Sequence, residues 1–516
     1  MGRSFSTVTP ARVQAMQLPA SVYNAKLDRH YEVFSRAGKL FQSEYQTSAD
    51  GQEIFRNTHE VKWLIGAGTN GFNGIVQRDR FLFETPLAFY STAKKWDLSP
   101  GYEVDDLGFN RVIVTRCIKC HTGQPGPAEK GAEASEFAAA GQTPIGCENC
   151  HGPGATHVRI VSTHSASAHG KGIVNPDRLS ADLENDICMG CHESGDSSVL
   201  MPGKSFRDFR PGTPLAETLA ILMVPPSRTG NNESDHVQYS FEMSMSKCFR
   251  ASAGQLRCAT CHDPHVEPTH DEVPAWFNAK CMQCHASRTC TAPLESRRET
   301  RPADNCIACH MPRRPEAQIA HLSLTNHRIL AQPGEPWPDS AFQLTTSSLP
   351  DLVYLDRPPG HTEDPPKISL LVAYREIAER RPEFRTPYLK TLTELEEAEP
   401  ENAVVQMELG HRDLEDGAFD QAIAHLQHSI RLEPNEAKSY AYLSEALAQR
   451  ERLAEAIVSS EKAVSLDPYD ELFQKALIDR LIAAKEYDKA LAAMERDMDA
   501  FPEDGEMRRM LDFIRK

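Results

Sequence analysis

Apolar and polar residues alternate in short runs over residues 23–91, and the runs are broken by turn residues. Gly38-Lys-Leu-Phe-Gln-Ser-Glu-Tyr-Gln-Thr leads into Ser-Ala-Asp-Gly and then Gln52-Glu-Ile-Phe, a period of two that predicts antiparallel strands joined by hairpins. Arg80-Phe-Leu-Phe-Glu predicts a further strand, so residues 1–99 read as a small β-rich lobe. From residue 100 to residue 330 the periodicity fades and Gly, Pro, Ser and His become frequent. Over so long a stretch that composition ordinarily argues for disorder. Residues 331–366 are proline-rich, with Gln-Pro-Gly-Glu-Pro-Trp-Pro and Pro358-Pro359-Gly360, and read as a linker or an extended strap. Residues 367–516 read as helical, beginning with the spacing of Leu370, Leu371 and Ala373.

The helical tail repeats itself. Pro400, Pro434, Pro468 and Pro502 fall 34 residues apart, and the same period links Leu409, Leu443 and Leu477, then Ala422, Ala456 and Ala490. This is the period of tetratricopeptide repeats. Small alanine lets the two helices of a hairpin approach, and proline stops the second helix before the next begins. Gly410 adds a small residue in the first unit only. Three units reach the minimum for a stable stack, with residues 503–516 as a capping helix.

The aperiodic stretch carries the chemistry. Cys-x-x-Cys-His occurs there six times: Cys117 and Cys120 with His121, Cys147 and Cys150 with His151, Cys188 and Cys191 with His192, Cys258 and Cys261 with His262, Cys281 and Cys284 with His285, and Cys306 and Cys309 with His310. A lone Cys-x-x-Cys can be half of a zinc site or a redox pair. Six pairs each followed at once by histidine are the attachment signature of c-type haem. Cysteines three apart share one side of a helical turn, so both thiols can add to one porphyrin edge while the histidine takes the iron as proximal ligand. Six haem c groups are therefore expected. Porphyrins would then supply the apolar core of residues 100–330, around which short helices and loops wrap.

Ten further histidines precede residue 330, enough to give every iron a second histidine. His157 follows the second motif in Cys-His-Gly-Pro-Gly-Ala-Thr-His, and His265 follows the fourth in Cys-His-Asp-Pro-His. In both, a rigid turn projects a second imidazole toward a neighbouring haem. His321 and His327 come just after the last motif. These four are the first distal candidates, followed by His236, His30 and His59; His164, His169 and His270, in polar loops, suit the role less. Met311 and Met245 are thioether alternatives, although most methionines fill gaps. Histidine on both faces implies low potentials and no room for substrate, so an iron without a distal ligand would be a catalytic candidate.

Composition adjusts this picture. Fourteen cysteines are present, and the two outside the motifs, Cys248 and Cys290, are expected as plain thiols rather than a disulfide because nothing sets them side by side. The net charge is −17, with −13 of it on residues 361–516, which argues against nucleic acid as a partner. No run of eighteen apolar residues occurs, so no transmembrane helix is expected. Met1-Gly-Arg-Ser-Phe leads into no apolar h-region, yet c-type haem is attached outside the cytoplasm. A periplasmic or otherwise exported protein is expected, with an upstream start or a trimmed chain.

As a set, several stretches resemble a known group: Gly66-Ala-Gly-Thr-Asn-Gly-Phe, Lys95-Trp-Asp-Leu-Ser-Pro-Gly-Tyr, Gly146-Cys-Glu-Asn-Cys-His-Gly-Pro-Gly, Gly172-Ile-Val-Asn-Pro, Cys188-Met-Gly-Cys-His, Lys247-Cys-Phe-Arg, Cys258-Ala-Thr-Cys-His-Asp-Pro-His and Cys306-Ile-Ala-Cys-His-Met-Pro. The chain is similar to exported bacterial multihaem cytochromes c with tetratricopeptide repeats, related to the cytochrome c nitrite reductase and hydroxylamine oxidoreductase superfamily. The resemblance implies that His265 and His157 hold distal positions. It also implies a signal segment and a further motif ahead of Met1, and some relatives have histidine near the position of Asn70. The implied fold is mixed, with a β-rich lobe (1–99), a hexahaem domain (100–330), a Pro-rich linker (331–366) and a helical repeat domain (367–516). Electron transfer between exported redox partners is the favoured function, with the repeats docking a partner protein; a membrane-associated complex is left open. The alternative is an oxidoreductase acting on small nitrogen or sulfur compounds at one five-coordinate haem. No Cys-x-x-Cys-Lys, the form associated with nitrite reduction, is present. A scaffold stapled by haems is a weaker third reading.

Overall fold

The protein is described by a computed structural model that covers residues 2–91, 93–102, 105, 107–123, 144–163, 171–229, 237–269, 271–285, 290–313, 325–357 and 360–515. Two compact units form, one from residues 2–144 with 385–516 and the other from residues 145–384.

In the first unit, among the described residues, nine strands build two sheets. They are β1 (Phe5–Thr7), β2 (Ala20–Asn24), β3 (Arg29–Arg36), β4 (Lys39–Thr47), β5 (Glu53–Val61), β6 (Trp63–Ile65), β7 (Gly71–Arg78), β8 (Phe81–Tyr90) and β9 (Lys95–Leu98). The sheet orders are β2-β3-β4-β5 and β1-β6-β7-β8-β9, and neighbouring strands are antiparallel. The predicted alternation sorts the faces: Tyr31 and Val33 on β3 are fully buried while their neighbours are not. Arg36 pairs with Lys39 across Ala37 and Gly38, both at positive φ, the conformation a two-residue hairpin needs. Both sheets contribute to one core that includes Tyr31, Leu40, Val76, Phe83 and Phe109. Gln42 ties them together. Its Nε2 donates to the Leu87 carbonyl at 2.8 Å, and its Oε1 accepts from the Leu87 amide at 2.9 Å.

The repeats form three helical hairpins: Ala403–Glu415 with Phe419–Leu432, Ala437–Gln449 with Leu453–Leu466, and Glu471–Ala483 with Tyr487–Ala500. The capping helix is Gly505–Ile514. Ala422, Ala456 and Ala490 are buried where the paired helices meet, as are Leu409, Leu443 and Leu477. Pro434, Pro468 and Pro502 each stand two residues beyond a second helix. This unit also joins its β-rich part to its repeats. The Tyr469 ring packs edge-on to Phe81 and Phe83 at 5.6 and 5.0 Å. The Arg78 guanidinium lies 4.2 Å from the same ring and donates to the Ala500 carbonyl at 2.7 Å, where a helix C-terminus favours a cation.

The second unit holds a sheet that the sequence did not announce, alongside the expected short helices and loops. Strand β10 (Ser197–Leu200) pairs with β11 (Leu219–Met223), which pairs with β12 (Val353–Tyr354). All five residues of β11 are buried, so no alternation marks it. The Pro-rich stretch takes the form of a strap, not a free spacer. Ala341 and Val353 pack with Met223, Phe241 and Met245, and the Leu355 amide donates to the Ile221 carbonyl at 2.9 Å.

Gly410 offers a direct test of the hairpin packing. A Cβ there would come within 2.5 Å of Leu426 Cγ, and Leu426 is fully buried. Gly410→Ala gains about 1 kcal/mol of helix propensity against an overpacking cost of about 1–3 kcal/mol. A lowered urea midpoint is expected, and a raised one would mean that Leu426 moves aside freely.

Candidate functional site

All six motifs fold as the end of a helix. Thr115–His121, Cys147–His151, Ala181–His192, Val273–His285 and Cys306–His310 each terminate on the motif histidine, and Cys258–Cys261 stops one residue before His262. The two cysteines of each motif thus lie one turn apart with the imidazole at the C-terminal end. The first motif belongs to the unit with the β-rich sheets. There Ile118 is buried with Phe5, Ile75 and Leu82, and Ser4 Oγ donates to the His121 carbonyl at 2.7 Å. The other five motifs lie in residues 145–384.

The motif cysteines are not alike in their surroundings, although their identical spacing suggests six equivalent attachment points. None of them takes part in a disulfide. Cys117, Cys120, Cys150, Cys188, Cys191, Cys258, Cys261, Cys281 and Cys306 are half-buried, whereas Cys147, Cys284 and Cys309 are exposed. The difference follows from the helices. In the first motif Cys117 packs beside Ile118 and its neighbours, and burial raises its thiol pKa, with Cys120 adding to the rise. Cys284 and Cys309 instead end helices whose final turns bury nothing. Polypeptide thus covers Cys120 in part and leaves Cys284 and Cys309 open to solvent.

Several imidazoles are held by one nitrogen. Nδ1 of His121, His151 and His310 sits 3.4, 2.8 and 2.5 Å from the carbonyls of Ser4, Val174 and Leu330. His157 and His327 repeat this on Lys171 and Thr325 at 3.0 and 2.8 Å. A carbonyl only accepts, so Nδ1 carries a proton, and in the neutral ring this contact selects the tautomer whose lone pair is on Nε2. This is the outer contact that fixes a metal-binding histidine.

Two of these rings, His151 and His327, face another imidazole. His151 and His265 have centroids 6.0 Å apart and planes 24° apart; for His262 and His327 the values are 6.3 Å and 29°. An ion bonded at about 2 Å to one nitrogen of each ring would separate the centroids by roughly 6 Å. His192 faces Tyr239 in the same way, at 6.0 Å and 24°.

The remaining candidates are placed differently. His30 stacks between Tyr23 and Tyr45 at 4.6 and 4.9 Å on β3. His59, on β5, lies 4.7 Å from the Phe109 ring, and burial pushes its pKa down to about 4. The rings against these two are therefore tyrosines and a phenylalanine, not motif histidines. His157 is fixed to Lys171 but is not paired with a motif histidine by these contacts. His236 and His321 lie outside the described residues, as do His164, His169 and His270. Met245 is packed in the core beside Phe241, the gap-filling role. Cys248 and Cys290 are free thiols.

The motifs of the second unit are joined by a device that sequence reading missed. Asn185, three residues before Cys188, accepts from the Cys258 amide at 2.9 Å. Asn278, three residues before Cys281, accepts from the Cys306 amide at 3.0 Å and donates to the Asp304 carbonyl at 2.8 Å. The signal was in the sequence as Asn-x-x-Cys-x-x-Cys-His, twice. The Arg257–Glu184 ion pair reinforces the first link. Neighbouring sulfurs mark the succession of motifs. Partial burial raises the Cys150 thiol and Cys188 raises it further. Cys188 donates to the Cys258 sulfur, which raises its own pKa and lowers that of Cys258. Burial raises Cys261, with Cys248 and Cys284 among the groups beside it. Burial pushes Cys281 up to about 11, with Cys306 and Cys261 adding to it. Motifs two to six are thus neighbours in chain order.

These surroundings fit a bulky apolar group held through sulfur and nitrogen. Helices Cys147–His151, Cys258–Cys261 and Cys306–His310 contain no buried residue. Helices of four or five residues have little stability of their own, and an apolar group covering their open faces would add to it. Among the described residues no three His, Cys, Asp or Glu side chains converge as a metal-ligating group.

No family model and no curated protein matches the chain. Solved structures do. A crystal structure of MamA is 19% identical over 28% of this chain and 74% of its own, with a TM-score of 0.22. The first TPR of Spaghetti (RPAP3), bound to an HSP90 peptide, is 20% identical over 22% and 89%, with a TM-score of 0.21. The TPR2B domain of yeast Sti1, in complex with an Hsp70 peptide, is 25% identical over 21% and 90%, with a TM-score of 0.20. The likeness is to tetratricopeptide-repeat domains.

Two outcomes follow from the geometry. Asn185→Ala strands the Cys258 amide and should cost about 1–2 kcal/mol in urea unfolding, whereas Asn185→Asp keeps the acceptor and should recover most of it; equal losses would deny the link. His59, depressed from 6.5 to about 4, is neutral in the native state where the unfolded chain is protonated. Its contribution is present above pH 6.5 and is lost as pH falls toward 4, a loss of about 2–3 kcal/mol. His59→Phe should flatten the stability profile across that window, and an unchanged slope would contradict the assignment.

Proposed function

We propose that the chain is a multihaem c-type cytochrome that carries electrons between exported redox partners, with the repeats docking one of them. The observation that carries this reading is the pair of facing imidazole couples, His151 with His265 and His262 with His327, each about one metal-bridged spacing apart. The six Cys-x-x-Cys-His segments would hold six haems, through Cys117 with Cys120, Cys147 with Cys150, Cys188 with Cys191, Cys258 with Cys261, Cys281 with Cys284, and Cys306 with Cys309. His121, His151, His192, His262, His285 and His310 would be their proximal ligands. Haem c supplies one-electron redox chemistry over a wide span of potentials.

The polypeptide's own contribution is placement. Main-chain carbonyls hold Nδ1 of His151, His310 and His327, and asparagines 185 and 278 tie successive motifs together. With Cys150 beside Cys188 and Cys261 beside Cys284 as well, motifs two to six follow one another in chain order, the arrangement that stepwise electron transfer needs. The Glu242 carboxylate accepts from the His327 amide at 2.8 Å and holds the backbone that carries that ring. Export follows from the chemistry of haem attachment, and among the described residues no helix is long and apolar enough to cross a membrane.

The test is an intact-mass haem count on the exported protein together with a potentiometric titration. Six covalent haems are expected. His265→Met should raise the midpoint potential of one of them, because a thioether stabilises the reduced iron. Absence of covalent haem would end the reading, and unchanged potentials in the variant would end the His151–His265 pairing.

A further inference from the structure

Asp497, on the helix Tyr487–Ala500, is fully buried at 0% exposure. Among the described residues neither of its carboxylate oxygens meets a hydrogen-bond donor. A carboxylate so placed keeps its charge only at a heavy cost in desolvation, and it holds a proton instead. The charged groups that face it come from both sides of its helix. Glu471 and Lys475 belong to the helix Glu471–Ala483, and Asp504 caps the helix Gly505–Ile514. Lys475 is already engaged, with Nζ 2.5 Å from Glu471 Oε1 and 2.9 Å from Asp504 Oδ2. Asp497 thus brings a third carboxylate to a group with one cation. Burial pushes its pKa up to about 7, Asp504 and Glu471 add to the rise, and Lys475 opposes it.

The group sits at a joint. Arg29 donates to the Glu503 carbonyl at 3.3 Å, Asn110 donates to the Glu503 carboxylate, and the Arg508 guanidinium lies 5.1 Å from the centre of the Phe55 ring. The start of the capping helix is therefore held between the third hairpin and the β-rich part. We propose that this joint is a latch worked by one proton: with Asp497 protonated the capping helix stays seated, and loss of that proton releases it. Ionised, Asp497 joins Asp504 and Glu471 against Lys475 alone, and the repulsion is relieved when the helix lifts and water reaches the carboxylate. An Asp in water has a pKa near 4, so the closed form binds the proton more tightly than the open one. Closure is thus favoured at acid pH. The opening constant rises about tenfold per pH unit between about 4 and about 7 and levels off above that. The latch goes beyond the electron-transfer reading and does not depend on haem.

The test follows amide hydrogen exchange in the full exported chain by mass spectrometry. Protection factors, which remove the intrinsic pH dependence of exchange, are compared for the capping helix Gly505–Ile514 and for Ala403–Glu415 in the first repeat. In the wild type, protection of the capping helix should fall roughly a hundredfold from pH 5 to pH 7, while that of the first repeat stays level. Asp497→Asn keeps the shape without the titration and should hold the capping helix at constant protection across the window. Asp504→Asn keeps an N-cap and removes one of the two facing negative charges, so the window should move to lower pH. Wild-type protection that does not change with pH would overturn the proposal, as would the wild-type slope persisting in Asp497→Asn. A parallel fall in the first repeat would overturn it too, since the opening would then be global. Should Asp497→Asn fail to fold, Asp504→Asn decides, and an unmoved window there would defeat the assignment.

Discussion

An imidazole has two nitrogens, and this fold repeatedly uses one of them as a handle. The contacts from Nδ1 of His121, His151, His157, His310 and His327 to main-chain carbonyls are small in themselves and decide a great deal. Each sets the tautomer, fixes the plane of the ring and leaves Nε2 as a lone-pair donor. Facing pairs have meaning only because this orientation is held. A freely rotating histidine at the end of a five-residue helix would point in no defined direction.

The same helices explain why the two units differ in character. In the first unit, strands and repeats bury large side chains against each other, from Phe83 and Leu87 to Leu426 and Met494, and Tyr469 joins the β-rich part to the repeats through Arg78 and Phe81. Its polypeptide supplies its own core. In the second unit the sheet and strap make a modest core around Leu219, Ile221 and Val353, yet several motif helices bury nothing. Such helices would gain most from an apolar group that covers them, as the proposed haems would. The Asn185 and Asn278 links align successive motifs but do not replace that cover.

Legibility in the sequence followed periodicity. The β-rich lobe declared itself through strands with one wet face such as β3, where Tyr31 and Val33 alternate with polar neighbours, and the repeats declared themselves through a 34-residue period that maps onto hairpin contacts at Ala422, Ala456 and Ala490. Strand β11 was silent because it is buried on both sides, and β12 was silent because a two-residue strand has no period. Among site residues, the motif histidines were visible as a local spacing. That spacing said nothing of exposure, so Cys120 and Cys284 looked alike in sequence and differ in the fold. The partners were harder to find, since His265 lies more than a hundred residues from the His151 it faces and no local pattern relates the two. Tyr239 was invisible for a further reason: nothing in a sequence distinguishes a tyrosine opposite an imidazole from one in a core. The asparagines were legible as Asn-x-x-Cys and were passed over.

Anomalous diffraction at the iron edge from crystals of the exported protein tests the central claim most directly, because it locates metal without assuming what holds it. The account predicts iron density between Nε2 of His151 and His265 and again between His262 and His327. Density at neither place, in crystals that contain the protein as exported, would contradict it.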